Sequence, residues 1–111
     1  MAAKFEIKKS SSGKFHFNLK SGNGEIILTS ETYESKAGAE NGIASVKTNA
    51  GSDDHFERRT STRGEPYFVL KAANHEIIGR SEMYSGKAAC ENGIASVMKN
   101  ATAATISDLT L

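Results

Sequence analysis

Apolar and polar residues alternate along this chain in short bursts, give way to a helical spacing, and then do the same again. Phe5-Glu6-Ile7-Lys8-Lys9 has the period of a half-buried strand. Ser11-Ser12-Gly13 is turn-forming, and Phe15, Phe17 and Leu19 then share one face of a second strand. Asn23-Gly24 predicts a two-residue hairpin turn, because both central positions of that turn need positive φ. Glu25-Ile26-Ile27-Leu28-Thr29-Ser30 follows as a third strand. From Ser35 to Asn49 no proline interrupts, and Ala39, Ile43 and Val46 recur at helical spacing, as Cys90, Ile94 and Val97 do later. Ser35 and Ser85 are predicted N-caps, since a hydroxyl accepts from the free amides of a first helical turn. Gly42 and Gly93 weaken those helices by about 1 kcal/mol each relative to alanine, so close packing is expected there.

The two passes are copies. An offset of 51 residues places Phe5 on Phe56 and Asn49 on Asn100 without a gap, and 25 of the 46 positions from Phe5 to Ala50 are identical. Glu40 to Val46 recurs whole as Glu91 to Val97. Copies of about 50 residues bury little core alone, so the two are expected to share one. The fold class read here is α+β: a tandem duplication of a β-β-β-α unit, antiparallel strands with two helices, and a pseudo-two-fold axis. Repeat 1 runs over about 4–54 and repeat 2 over about 55–105 of a single domain, 1–111. A C-terminal strand at about 103–110, with Ile106 and Leu109, completes the sheet. Changes between copies mark special places. Gly24 becomes His75, a costlier left-handed residue; Phe15 becomes Pro66, without a donor; Ile7 becomes Arg58; and Leu28 becomes Gly79, where something approaches the backbone.

The run Tyr33-Glu34-Ser35-Lys36-Ala37 followed by Glu40-Asn41-Gly42-Ile43-Ala44-Ser45-Val46, with Tyr84, Lys87-Ala88 and Glu91 to Val97 in the second copy, resembles the YegP-like family. These are small bacterial proteins of one or two such repeats. The resemblance spans nearly the whole chain and implies two β-β-β-α units in one body. It carries over no catalytic or binding residue.

Composition narrows the functions. The chain has 111 residues, 14 Lys and Arg against 13 Asp and Glu, and a net charge of +1, which excludes a strongly basic nucleic-acid binder. A single cysteine, Cys90, excludes an internal disulfide and multi-thiolate zinc sites. No apolar run approaches a membrane span or a signal peptide, so a cytoplasmic protein away from membranes is expected.

Candidate chemistry is sparse. Cys90 stands where repeat 1 has Ala39 and reads as a buried thiol. His16, His55 and His75 have no counterparts and fit no ligand spacing, so neither a metal nor a cofactor is expected. Paired Glu25/Glu76, Glu31/Glu82 or Glu40/Glu91 across the axis would be the route to a small acid–base enzyme, the third-ranked reading. The plainer reading pairs Lys36 with Glu40 and Lys87 with Glu91 along each helix. Glu40, Asn41, Glu91 and Asn92 are a candidate shared binding groove, the competing reading being that the two amides tie helix to sheet. A non-catalytic binding or protein-interaction module comes first, with a free sheet edge or the C-terminal strand meeting a protein partner or a weak homodimer; a monomer is equally compatible. The alternative is a weak single-stranded nucleic-acid binder using Arg58, Arg59, Arg63, Lys71, Arg80 and Tyr67. Interspersed Glu57, Glu65, Glu76 and Glu82 count against it.

Overall fold

The computed structural model describes residues 3–110. The elements follow in the order β1 (Lys4–Lys9), β2 (Phe15–Lys20), β3 (Ile26–Ser30), α1 (Lys36–Asn49), β4 (Phe56–Thr60), β5 (Pro66–Lys71), β6 (Ile77–Arg80), α2 (Lys87–Asn100) and β7 (Thr105–Asp108). A short 3-10 turn, Asp53–His55, leads into β4. All seven strands form one sheet in the order β4-β5-β6-β3-β2-β1-β7. The duplicated β-β-β-α unit, the two helices and the completing C-terminal strand are therefore as expected, with one departure. β7 runs parallel to β1, from Lys4↔Thr105 to Ile7↔Asp108, in an otherwise antiparallel sheet.

The halves meet at β3 and β6, where Thr29 pairs with Arg80 and Ser30 with Gly79. Thr29 and Arg80 are counterparts at the repeat offset, so the pseudo-two-fold axis passes through this pair. Both helices cover the same face. α1 lies against β2 and against β5 and β6 of the other repeat, while α2 lies against β5 and β3. The result is one continuous core holding Phe5, Ile7, Phe17, Leu19 and Leu28 with Phe56, Phe68 and Leu70.

Local details follow the sequence with two corrections. The Asn23-Gly24 turn is longer than two residues: Ser21 N–H donates to Glu25 O at 2.9 Å, Gly24 N–H donates to Ser21 O at 2.9 Å, and Gly24 takes φ 88° without Asn23 leaving negative φ. A type I turn closed by one left-handed residue suits this five-residue loop. His75 adopts φ 69° at the matching place. Ser35 caps α1 through Gly38 N–H, but α2 is capped by Gly86, with no side-chain bond, rather than by Ser85. The repeat register is kept at the cost of the hydroxyl. The helix glycines do mark close packing, since a Cβ on Gly42 would lie 2.5 Å from Tyr33 Oη and 2.9 Å from Phe17. Finally, Phe15 exchanges two backbone bonds with Tyr33, whereas Pro66 can only accept, from Tyr84 N–H at 2.8 Å.

Candidate functional site

Residues opposite one another in a sheet share a face, so the register sorts every strand position. The helix-free face carries Lys4, Glu6 and Lys8 from β1 and His16, Asn18 and Lys20 from β2. It continues with Thr29 of β3, Arg80 of β6, Tyr67, Val69 and Lys71 of β5, and Glu57 and Arg59 of β4. Six cations there face two carboxylates, a segregation hidden by the near-zero net charge. The two carboxylates are themselves counterparts with matching partners. Glu6 is held by Lys20 at 2.9 Å and Lys4 at 3.4 Å, and Glu57 by Lys71 at 2.8 Å and by Arg59. The lysine hydrogen bonds set Glu6 and Glu57 below the usual carboxylate range. Lys8 and Arg80 have no carboxylate within ion-pair distance among the described residues. His16 of β2 and Tyr67 of β5 are counterparts, half-buried, one in each half of this face.

A second feature lies beside the outer edge of β4. An open cavity of about 430 Å³ is lined by Arg58, Arg59, Thr60, Pro66, Lys87, Cys90 and Glu91. Arg58 bonds Glu91 through two nitrogens at 2.8 Å each and Asp53 at 2.8 Å. The Glu91 and Asp53 carboxylates raise the Arg58 guanidinium's affinity for its proton, and Arg58 in turn lowers both acids. Cys90 is buried, and that burial, with Glu91 nearby, pushes its thiol up rather than toward the thiolate.

The four residues expected to form a groove are all exposed. Glu91 lines the β4 cavity, but Glu40, Asn41 and Asn92 line neither it nor the second depression, which lies around Tyr33, Asn74 and Glu76. Among the described residues no side-chain bond ties Asn41 or Asn92 to the sheet; the helix amides that do bond are Asn49, to Ser45, and Asn100, to Ser96. Nor do the helices make their expected internal ion pairs. Lys36 reaches Asp108 of β7 at 2.9 Å, and Glu91 is taken by Arg58. Glu25 bonds Asn23 in its own turn. His55 bonds the Lys71 carbonyl at 3.1 Å, and among the described residues no three His, Cys, Asp or Glu gather as metal ligands. No helix among them is long and apolar enough to cross a membrane.

Two residues passed over in the sequence prove structural in both copies. Ser30 and Ser81 are buried and accept from Phe17 N–H at 2.8 Å and Phe68 N–H at 3.0 Å. Their identity across the repeat was the available signal.

The architecture and the duplicated motif agree with known proteins. A family model described as a domain of unknown function, DUF1508, matches twice, over residues 10–57 and 61–108. The chain belongs to the DUF1508 family. The matched DUF1508 units are offset by the same 51 residues and run from β2 to the start of β4 and from β5 through β7, so that the end of β7, Ser107-Asp108, aligns with the start of β4, Phe56-Glu57. The chain is similar to the UPF0339 protein YegP of Yersinia pestis, 60% identical over 107 residues, covering 96% of each chain. It is 54% identical over 110 residues to the UPF0339 protein YegP of Escherichia coli K12, covering 99% of this chain and 100% of that one. Two solution NMR structures share the fold at 53% identity. One is a UPF0339 protein of Shewanella oneidensis, at TM-score 0.92, covering 98% of this chain and 92% of that one. The other is E. coli yegP, described as of unknown function, at TM-score 0.93, covering 98% and 94%.

Proposed function

We propose that this DUF1508 protein is a non-catalytic binding module whose helix-free sheet face takes a single-stranded nucleic acid. The observation that carries this reading is the charge sorting on that face: Lys4, Lys8, Lys20, Arg59, Lys71 and Arg80 against Glu6 and Glu57 alone. An uncovered sheet with a net surplus of cations can follow a phosphate backbone, while the rings of His16 and Tyr67 offer stacking surfaces to unpaired bases. Half-buried Lys8 and exposed Arg80, neither with a carboxylate partner among the described residues, are the cations freest to exchange a counterion for a phosphate. A non-catalytic role fits the buried, poorly ionised Cys90 and the carboxylates, of which Glu6, Glu57 and Glu91 are each locked by a cation.

The test is retention of the full chain on a fluorescent single-stranded oligonucleotide across a salt series. Binding is expected at low salt, and the double variant Lys8→Glu/Arg80→Glu is expected to make the slope of log affinity against log salt shallower by roughly 1.4, two contacts at about 0.7 each. Lys99→Glu, on the far side of the molecule, serves as control. Absence of retention at low salt, or equal loss with both variants, overturns the reading.

A further inference from the structure

We propose that the open outer edge of β4 binds an extended segment of a partner protein, added parallel to β4, with an acidic side chain of that segment seated on Lys87. This surface adjoins the helix-free face, with Arg59 at the boundary, but does not depend on the nucleic-acid reading.

The molecule contains its own precedent. At the opposite edge, β7 adds to β1 in parallel: Thr105 N–H donates to Ala3 O at 3.3 Å, and Leu109 N–H donates to Ile7 O at 3.0 Å. Asp108, beside Ile7, points toward the start of α1 and meets Lys36 at 2.9 Å. The pseudo-two-fold axis carries β1 onto β4, Ile7 onto Arg58 and Lys36 onto Lys87. No described strand occupies the place that would then match β7. The chain leaving α1 continues into β4 itself, and β4 pairs with β5 alone among the described strands. The 430 Å³ cavity lies at the place where the end of β7 sits in the first half, with Lys87 in its wall. Lys36 has Asp108; Lys87 has no carboxylate within ion-pair distance among the described residues.

The chemistry of the edge defines what fits. An unpaired strand offers a row of amides and carbonyls to any extended chain. Arg58 stands where repeat 1 has Ile7, fully buried in the core, and a charge on the core side of an edge strand opposes indiscriminate pairing by apolar strands. Asp53 and Glu91 already satisfy Arg58, so the remaining cation is Lys87. The matching segment is therefore extended, carries β-branched residues like those of Thr105-Ile106-Ser107-Asp108, and brings Asp or Glu at the Asp108 position.

The probe is a capped synthetic peptide of residues 103–110, titrated into the full-length, isotope-labelled chain. Amide shifts are expected on 56–60 and at Lys87 while β1 stays still. The same peptide carrying Asp108→Asn is expected to bind about threefold more weakly or worse. Lys87→Glu in the protein, with its folded spectrum verified, is expected to abolish the response. Shifts confined to β1 and β7, no response on β4, or equal binding of both peptides overturns the proposal. Movement of β4 amides with chain concentration alone, without peptide, also overturns it, by making a second copy the occupant.

Discussion

Thr29 of β3 pairs with Arg80 of β6, and each is the residue that replaces the other when one repeat is laid on its twin. A two-fold axis through a residue pair demands that whatever crosses it be either symmetric or exclusive. Leu28 and its counterpart Gly79 show the exclusive solution. A Cβ on Gly79 would lie 2.8 Å from Thr29 O and 3.2 Å from Leu28 Cγ, so one leucine fills the space that two could not share.

Gly79→Ala is accordingly expected to lower stability by about 1–3 kcal/mol, the usual range for overpacking against a backbone that cannot retreat. Urea denaturation measures it through the midpoint. An unchanged midpoint would mean that β3 and β6 can separate freely, which the paired register does not allow.

In the helices the same conflict sets propensity against packing. Gly42→Ala gains about 1 kcal/mol of helix propensity. It also drives a methyl into Tyr33 and Phe17, whose rings stack nearly parallel at 6.3 Å. Net destabilisation of up to about 2 kcal/mol is expected, because small-to-large changes in packed cores cost about 1–3 kcal/mol against that gain. Thermal unfolding reads the sign: a raised Tm would show that Tyr33 swings away cheaply.

His75 holds φ 69° in a turn where repeat 1 uses Gly24 at φ 88°. Left-handed backbone costs a side-chain-bearing residue about 1–2 kcal/mol, and glycine is spared it. His75→Gly is therefore expected to stabilise the protein by about 0.5–1 kcal/mol, after allowing for the greater freedom of an unfolded glycine. Calorimetry on the two proteins checks it, and a lowered Tm would contradict the strain.

Glu6 supplies a pH signature. Lys20 is the main cause of its lowered pKa, against an opposing effect of burial. The folded value thus lies below the ordinary 4.5, and the group's contribution is complete above that pH and lost as pH falls through the folded value. Glu6→Gln is expected to be less stable at neutral pH and to show a flatter acid limb below about pH 4.5. Parallel acid limbs in the two proteins would remove Glu6 from the linkage.

The candidate sites were less legible than the fold. Arg59, Lys71, Arg80 and Tyr67 were readable as a basic set, but Glu57 and Glu76 beside them in sequence masked it. Glu57 shares their face and is neutralised there, while Glu76 lies outside the strands, in the β5–β6 turn. Lys87 looked like a helix-surface lysine poised for Glu91, because nothing local says that Arg58 comes from β4 to take that carboxylate. Asp108 likewise gave no hint of Lys36, its partner from the opposite end of the chain.

The repeat, the strand periods, the helix spacing and the special character of Gly79, Pro66 and His75 were all determined by the sequence, because each is expressed within a few residues or by comparison of two copies. The strand order, the parallel seat of β7, the charge sorting of the helix-free face and the vacancy beside β4 were decided only by the tertiary structure. They depend on which strands meet across the axis and at the edges, and those long-range pairings answer to the shared core, not to any local pattern.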